Sequence, residues 1–279
     1  MEQAPSAGVV AVHCASAPSI ARARSLSKRL GLPLWSTISQ AEPNGRYVLC
    51  VGEQGVFLKK IGFQSTIQVD FVSGANAHRR LYGGGKGQLI AKAVGLNNKT
   101  IRNYLPLTVV DLTAGLGQDG FVLATLGCFV TLVERCTVVY RLLYDGFYRA
   151  QQFARASETS DKALDSILLR MELVEASAEN YLKNMVDQPD IIYLDPMFPA
   201  RVKSAQVNKD MQALQVIAGY DDDAGKLLYA ALNKARFRVV VKRPRKAPAL
   251  HQQYPQVTLP EPGLVLMGKS TRYDIYLQA

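Results

Sequence analysis

Little in this chain points to a membrane, a disulfide framework or a metal site. No run of about 18 apolar residues occurs anywhere in it, which excludes a spanning helix by the usual length criterion. The opening MEQAPSAG has neither a basic stretch nor an apolar core, so no secretion signal is expected. Cysteine is scarce: Cys14, Cys50, Cys128 and Cys136 lie far apart and form no CxxC pair, a pattern of neither disulfides nor zinc. Histidine is scarcer still, with His13, His78 and His251 scattered. A reducing, cytoplasmic setting without a metal is the expectation. Acidic residues are also in the minority: 23 Asp and Glu face 33 Lys and Arg, a net charge of +10. That surplus suggests a polyanionic partner, nucleic acid first, although many basic proteins bind none.

What is present reads as an α/β protein. VVAVHC (9–14) is a strand, and 18–30 a helix closed by Gly31. RYVLCVG (46–52), VFLKKIG (56–62) and TIQVDFV (66–72) are strand-like runs separated by turns, so residues 1–74 form a small β-α-β-β-β lobe with an antiparallel meander. From 75 to 279 the text changes. A basic, Gly-rich loop and a helix (78–100) lead into alternating strands and helices. The strands are 108–112, 128–134, 171–176, 190–195, 237–244 and 270–279, and helices are read at 119–126, 137–156 and 227–234. Alternation of this kind predicts a mostly parallel sheet covered on both faces.

Chemistry-bearing residues gather at the carboxyl ends of those strands. Asp111-Leu-Thr-Ala-Gly115-Leu-Gly117-Gln118-Asp119-Gly120 joins an apolar strand to a helix. Small residues there let the backbone turn tightly and approach a ligand at a helix N-terminus. Its glycines spell GxGxxG, so the loop can also be read as a dinucleotide fingerprint, a weak motif by itself, and a plain tight turn without a ligand is the lesser alternative. Glu134 ends the next strand, where a carboxylate can hold two ribose hydroxyls, and this serves NAD and S-adenosylmethionine alike. Ser177 and Ala178 follow the third strand, where an adenine edge can meet them. The residues that separate the classes are Asp195-Pro196-Met197-Phe198-Pro199, after the apolar run IIYL. An exocyclic base amine is a poor nucleophile because its lone pair is delocalised. The Asp195 carboxylate and Pro196 carbonyl can accept its two N–H bonds and aim the lone pair at a methyl carbon, while Phe198 stacks on the base.

Basic residues lie beside these motifs in the sequence. Arg79, Arg80 and Lys86 sit in HRRLYGGGKG, which is not a P-loop because no Ser or Thr follows the lysine. Arg201 and Lys203 follow the DPMFP stretch, and Lys242 and Arg243 belong to KRPRK after the fifth strand. Converging on one edge, these clusters would hold an RNA backbone. The run Asp221-Asp222-Asp223 is most simply a helix N-cap.

Taken together, DLTAGLGQDGF (111–121), LVER (132–135), LDPMFP (194–199), VVVKRPRKAP (239–248) and HRRLYGGGKGQLIAKAVG (78–95) resemble the bacterial ribosomal RNA small subunit methyltransferase J family. The resemblance covers roughly residues 70 to 279, the first lobe matching only in length and layout. It implies a class I, Rossmann-like S-adenosylmethionine-dependent methyltransferase that modifies the N2 amine of one guanine in 16S rRNA. It implies cofactor contacts at Gln118, Asp119, Glu134, Arg135, Ser177, Ala178 and Asp195, and Asp111, Gly115 and Gly117 of the loop are expected to bind the cofactor with them. Gln118 departs from the arginine the family would place there. ASETSDKALDSI (156–167) looks longer than the family needs and is expected to be a surface insertion.

Three other readings compete: methylation of adenine N6 or a glutamine side chain, an NAD-linked dehydrogenase, and a non-catalytic RNA-binding assembly factor. Enzymes of the first kind often carry an Asn-Pro-Pro-aromatic platform, from which Asp195 and Met197 differ. The second leaves DPMFP without a purpose and lacks a proton donor. An intact loop with Glu134 and Asp195 argues against the third.

Overall fold

The computed structural model describes residues 8–38, 46–74, 78, 80, 85–98, 101–104, 106–156, 161–197 and 209–278. The first lobe begins with β1 (Val9–Cys14), followed by α1 (Ile20–Leu30). Gly31 stops that helix in the left-handed conformation, at φ 64°. β2 (Leu34–Trp35), β3 (Tyr47–Gly52), β4 (Gly55–Lys60) and β5 (Thr66–Ile67) complete a sheet of order β2-β1-β3-β4-β5. The expected antiparallel meander is β3-β4-β5, while β1 runs parallel to both β2 and β3. Two points differ from the sequence reading. Leu34–Trp35 adds a parallel edge too short to leave a periodic signal. The run 66–72 pairs only at 66–67, because Val69 and Phe71 leave the ladder to enter the core.

The second sheet contains β6 (Thr108–Asp111), β7 (Phe129–Glu134), β8 (Met171–Glu175), β9 (Ile191–Leu194), β10 (Arg238–Pro244), β11 (Leu264–Met267) and β12 (Thr271–Leu277). Its order is β11-β12-β10-β9-β6-β7-β8. The five strands from β10 to β8 are parallel, and β12 is antiparallel to both its neighbours. β9, with the sequence IIYL, is buried along its whole length, as expected of a strand covered on both faces. The helices are α2 (Leu89–Ala93), α3 (Gln118–Thr125), α4 (Thr137–Arg155), α5 (Lys162–Leu168), α6 (Ala178–Asn184), α7 (Lys209–Ala218), α8 (Ala224–Leu232) and α9 (Leu250–Gln253). From β6 the chain proceeds outward to β7 and β8, then returns to place β9 on the other flank of β6. The order therefore reverses between β6 and β9, and a crevice opens at their carboxyl ends.

The stretch expected as a surface insertion is half structural. Asp161 caps α5 by accepting from the Leu164 N–H at 2.9 Å, and Leu164, Ile167 and Leu168 are buried. Residues 157–160 lie outside the described set. The two sheets share one apolar cluster, in which Val12 and Leu58 of the first lobe join Leu132 and Tyr193 of the second. Phe71 reaches across to stack on Phe121 of α3 at 4.8 Å between ring centroids. Among the described residues no helix is long and apolar enough to cross a membrane.

Candidate active site

The loop from β6 to α3 is built by its glycines and threonine. Gly115 and Gly117 take positive φ, 55° and 74°, which other L-residues adopt only with strain. The Gly117 N–H closes a tight turn on the Ala114 carbonyl at 2.8 Å. A Cβ on Gly115 would meet nothing nearer than the Thr113 carbonyl at 3.9 Å, so that face stays open to a ligand. A Cβ on Gly120 would lie 2.2 Å from Leu132, so this glycine lets α3 pack closely on β7. Thr113, which the sequence reading passed over, ties the two flanks of the crevice together. Its hydroxyl accepts the Asp195 N–H at 2.6 Å and lies 3.3 Å from the Asp111 carboxylate.

Below the loop, charged groups converge. Lys242 donates to Asp119 at 2.6 Å and to Asp195 at 2.8 Å, and Tyr193 donates to the same Asp119 oxygen at 2.8 Å. With Asp111, Thr113, Gly115, Gln118, Met197, Met211 and Leu214, these four residues line a cavity of about 130 Å³. Burial raises the Asp111 carboxyl to about 8, assisted by the charges of Asp119 and Asp195, although Thr113 hydrogen bonds oppose the rise. Burial also raises Asp195, against the pull of Lys242. For Lys242 burial favours the neutral amine, but the two carboxylates overcome it and hold the ammonium above its ordinary range. A larger concavity, about 420 Å³, lies beside α6, but Asp187 is the only titratable carboxylate in its wall. The smaller cavity at the strand reversal is the one that gathers Asp111, Asp119, Asp195 and Lys242 around the glycine loop.

Glu134 ends β7 and is nearly buried. Its two oxygens accept the Gly115 N–H at 2.9 Å and the Cys136 N–H at 2.7 Å, so it braces the glycine loop. Arg135 reaches away from the cavity lining to Asp221 at 2.8 Å and to the Tyr220 carbonyl at 3.1 Å. Asp221 is not the helix cap expected from the acidic run. Its carboxylate accepts the Met197 N–H at 2.6 Å and pins the segment after Asp195. Asp223 holds the N-cap position of α8 without a side-chain bond. Ser177 caps α6 by accepting from Asn180 at 3.2 Å, and Ala178 opens that helix; both stand at the end of β8, outside the cavity lining. Pro196 is buried, and Phe198 lies outside the described residues.

Burial raises Glu134 from 4.5 to about 7, opposed by its two backbone hydrogen bonds. Between those pH values the folded chain keeps a proton that the unfolded chain has released. Its stabilising contribution is complete below about pH 4.5 and is lost as pH rises through about 7, up to roughly 3 kcal/mol. Thermal unfolding followed from pH 4.5 to 8 is therefore expected to show a shallower pH slope in Glu134→Gln than in the parent. Parallel curves would disprove this.

Of the expected RNA-binding residues, the four that are described (Arg80, Lys86, Lys242 and Arg243) do not converge on one edge. Arg79, Arg201 and Lys203 fall outside the described residues. Arg80 pairs with Asp161 at 2.8 Å, at the start of α5. Lys86 is exposed, but its charge acts on the Cys128 thiol at the start of β7, the sheet end opposite the cavity. Lys242 and Arg243 are adjacent in a strand and so face opposite sides. Lys242 enters the cavity, whereas Arg243 is 1% exposed and donates to the Pro248 carbonyl and to Gln253. Neither is free to meet a phosphate, and Arg243 is corrected to a structural role. Truncating a buried guanidinium leaves its acceptors unsatisfied, at a cost of about 1–3 kcal/mol for each. Arg243→Ala is thus expected to lower the melting temperature strongly while leaving the salt dependence of RNA binding in the remaining folded protein unchanged. A flattened salt slope would return Arg243 to the RNA surface.

A parallel sheet reversing at β6 and β9, a glycine loop running into α3, an acidic residue ending β7 and an acid-proline step after β9 define an S-adenosylmethionine-dependent methyltransferase. The lining is of a kind that fits that cofactor: open loop backbone at Gly115, with the acidic side chains of Asp111, Asp119 and Asp195 around the cavity and Glu134 at the end of β7. Residues 32–278 match the family model described as "Putative SAM-dependent methyltransferase". The ribosomal RNA small subunit methyltransferase J of Cellvibrio japonicus is 45% identical over 259 residues, 91% of this chain and 92% of that protein. The Pseudomonas fluorescens Pf-5 protein of the same name is 44% identical over 279 residues, 99% of this chain and 97% of its own. The crystal structure of a SAM-dependent methyltransferase from Neisseria gonorrhoeae is 34% identical, with a TM-score of 0.67 and 96% of each chain covered. The chain belongs to the ribosomal RNA small subunit methyltransferase J family. The likeness extends through the first lobe, beyond the residue 70 boundary drawn from motifs alone.

Proposed function

We propose that this protein acts in the cytoplasm on 16S rRNA or the small ribosomal subunit, transferring a methyl group from S-adenosylmethionine to the N2 amine of a guanosine. The observation that carries the reading is the Asp195 carboxylate at the strand reversal, held from one side by Lys242 at 2.8 Å and through its own N–H by Thr113 at 2.6 Å. The names of the relatives supply the RNA, and the chemistry of the acceptor supplies the rest. When bound, S-adenosylmethionine would supply a methyl group on a sulfonium, whose neutral thioether leaving group needs no acid.

The protein's task is therefore to prepare the amine. In this reading Asp195 and the Pro196 carbonyl accept the two N2 hydrogens, drawing the nitrogen out of conjugation, and Phe198 stacks on the guanine. S-adenosylmethionine held there would supply the methyl carbon for a new bond to N2, with the C–S bonding electrons going to sulfur. The nitrogen then carries the positive charge and yields one proton to Asp195. Gln118 and Asp119 in the first turn of α3, with Glu134, Arg135, Ser177 and Ala178 along the ends of β7 and β8, serve the cofactor.

Transfer of labelled methyl to small-subunit rRNA from a strain lacking this protein, followed by nucleoside analysis, tests the reading. Labelled N2-methylguanosine is the expected product. Label in N6-methyladenosine, or no label from a protein that binds S-adenosylmethionine, would overturn it.

A further inference from the structure

We propose that Lys242 is a positioning residue for the transfer, locking the Asp195 carboxylate in its charged and oriented form, and not an RNA-backbone contact. The inference rests on the proposed role of Asp195 and adds the group that makes that role physically possible. β10 pairs with β9 so that Val241 lies opposite Leu194, which brings Lys242, one residue on, level with Asp195. The ammonium bridges Asp195 and Asp119, and so couples the acceptor side of the crevice to the first turn of α3.

The electrostatics make the bridge necessary. Asp195 is faced by Asp119 from α3, Asp111 from β6 and Asp221 from the segment before α8, with the phenols of Tyr193 and Tyr273 close by. Arg135 pairs with Asp221 at the rim. Lys242 is the cation among the described residues lining the cavity. Without it, four clustered carboxylates would share protons, and a protonated Asp195 would be a weaker acceptor for an amine hydrogen and unable to take the product's proton. The position also explains why a lysine within a basic run is only 22% exposed in its side chain. A phosphate contact would need it in solvent.

Lys242→Met and Lys242→Arg, assayed beside the parent protein, test this. For Lys242→Met, kcat is expected to fall about 100-fold, in the range for loss of one preorganised charge. The KM for RNA and its salt slope should stay unchanged, and the acid limb of the pH–kcat profile should move upward. Lys242→Arg should restore the acid limb even where kcat recovers only in part. Carbon NMR titration of the Asp195 carboxyl gives a readout independent of substrate, and its titration should move to higher pH in Lys242→Met. An unmoved titration, or a flattened salt slope with an unchanged acid limb, would overturn the inference. If the parent protein itself transfers no label to guanosine, the functional reading fails instead, and the NMR titration still decides the role of Lys242.

Discussion

Asp195→Ala is expected to lower kcat by about 10³-fold or more, because it removes both a preorganised hydrogen-bond acceptor and the base that receives the product's proton. Cofactor affinity should fall far less, since Gln118 and Asp119 stand on α3 and Glu134 on β7, and Asp119 keeps its bonds to Lys242 and Tyr193 when Asp195 is truncated. The fold should survive. The Asp195 side chain lines the cavity and is not part of the apolar core, and its N–H bond to Thr113 belongs to the backbone. Asp195→Asn separates the two contributions: it keeps a carbonyl acceptor but loses the base, and an intermediate rate is expected. Single-turnover methyl transfer with equilibrium cofactor binding measures both quantities. Full activity in Asp195→Ala would sink the mechanism.

Gly117→Val should be strongly damaging, and it acts on stability before it acts on chemistry. Gly117 sits at φ 74°, and an added Cβ would lie 2.6 Å from Leu143 and 3.2 Å from Phe71. A left-handed β-branched residue costs about 1–2 kcal/mol, and overpacking adds about 1–3. A loss of about 3 kcal/mol corresponds to a melting temperature lower by about 10 °C. Gly115→Ala is the control. It has the same sign of φ but open space around it, so it should cost only the backbone strain while placing a methyl group where the cofactor approaches. Calorimetry and cofactor titration on both variants should therefore separate: Gly117→Val loses stability, Gly115→Ala loses affinity. Equal melting temperatures would contradict this division of labour. The Phe71 contact also ties the loop to the first lobe, through the stacking of Phe71 on Phe121.

Much of this was legible in the order of residues. Apolar runs such as TVVD and IIYL read as buried parallel strands because both faces of such a strand are covered and no alternation remains. The glycine loop, Glu134 and DPMFP could be placed at strand ends because connections in an α/β sheet deliver them there. Short elements were not legible. Leu34–Trp35 and Leu264–Met267 become strands only through their neighbours, and α5 owes its existence to a buried face against α4.

For the site, local sequence determined which residue types would meet at the strand reversal, because a strand's end and the glycine turn after it are properties of a few consecutive residues. Tertiary structure alone decided what those residues do to one another. Lys242 and Arg243 look alike in a run of four cations, yet the two-residue period of β10 sends one between two carboxylates and the other into the opposite core. Asp221 reads as a helix cap, but packing turns its carboxylate onto the Met197 backbone and Arg135. Charge count is written in the sequence. Which charge is buried beside which is a matter of distances between strands far apart in the chain, and those distances set the pairing, the protonation and the chemistry.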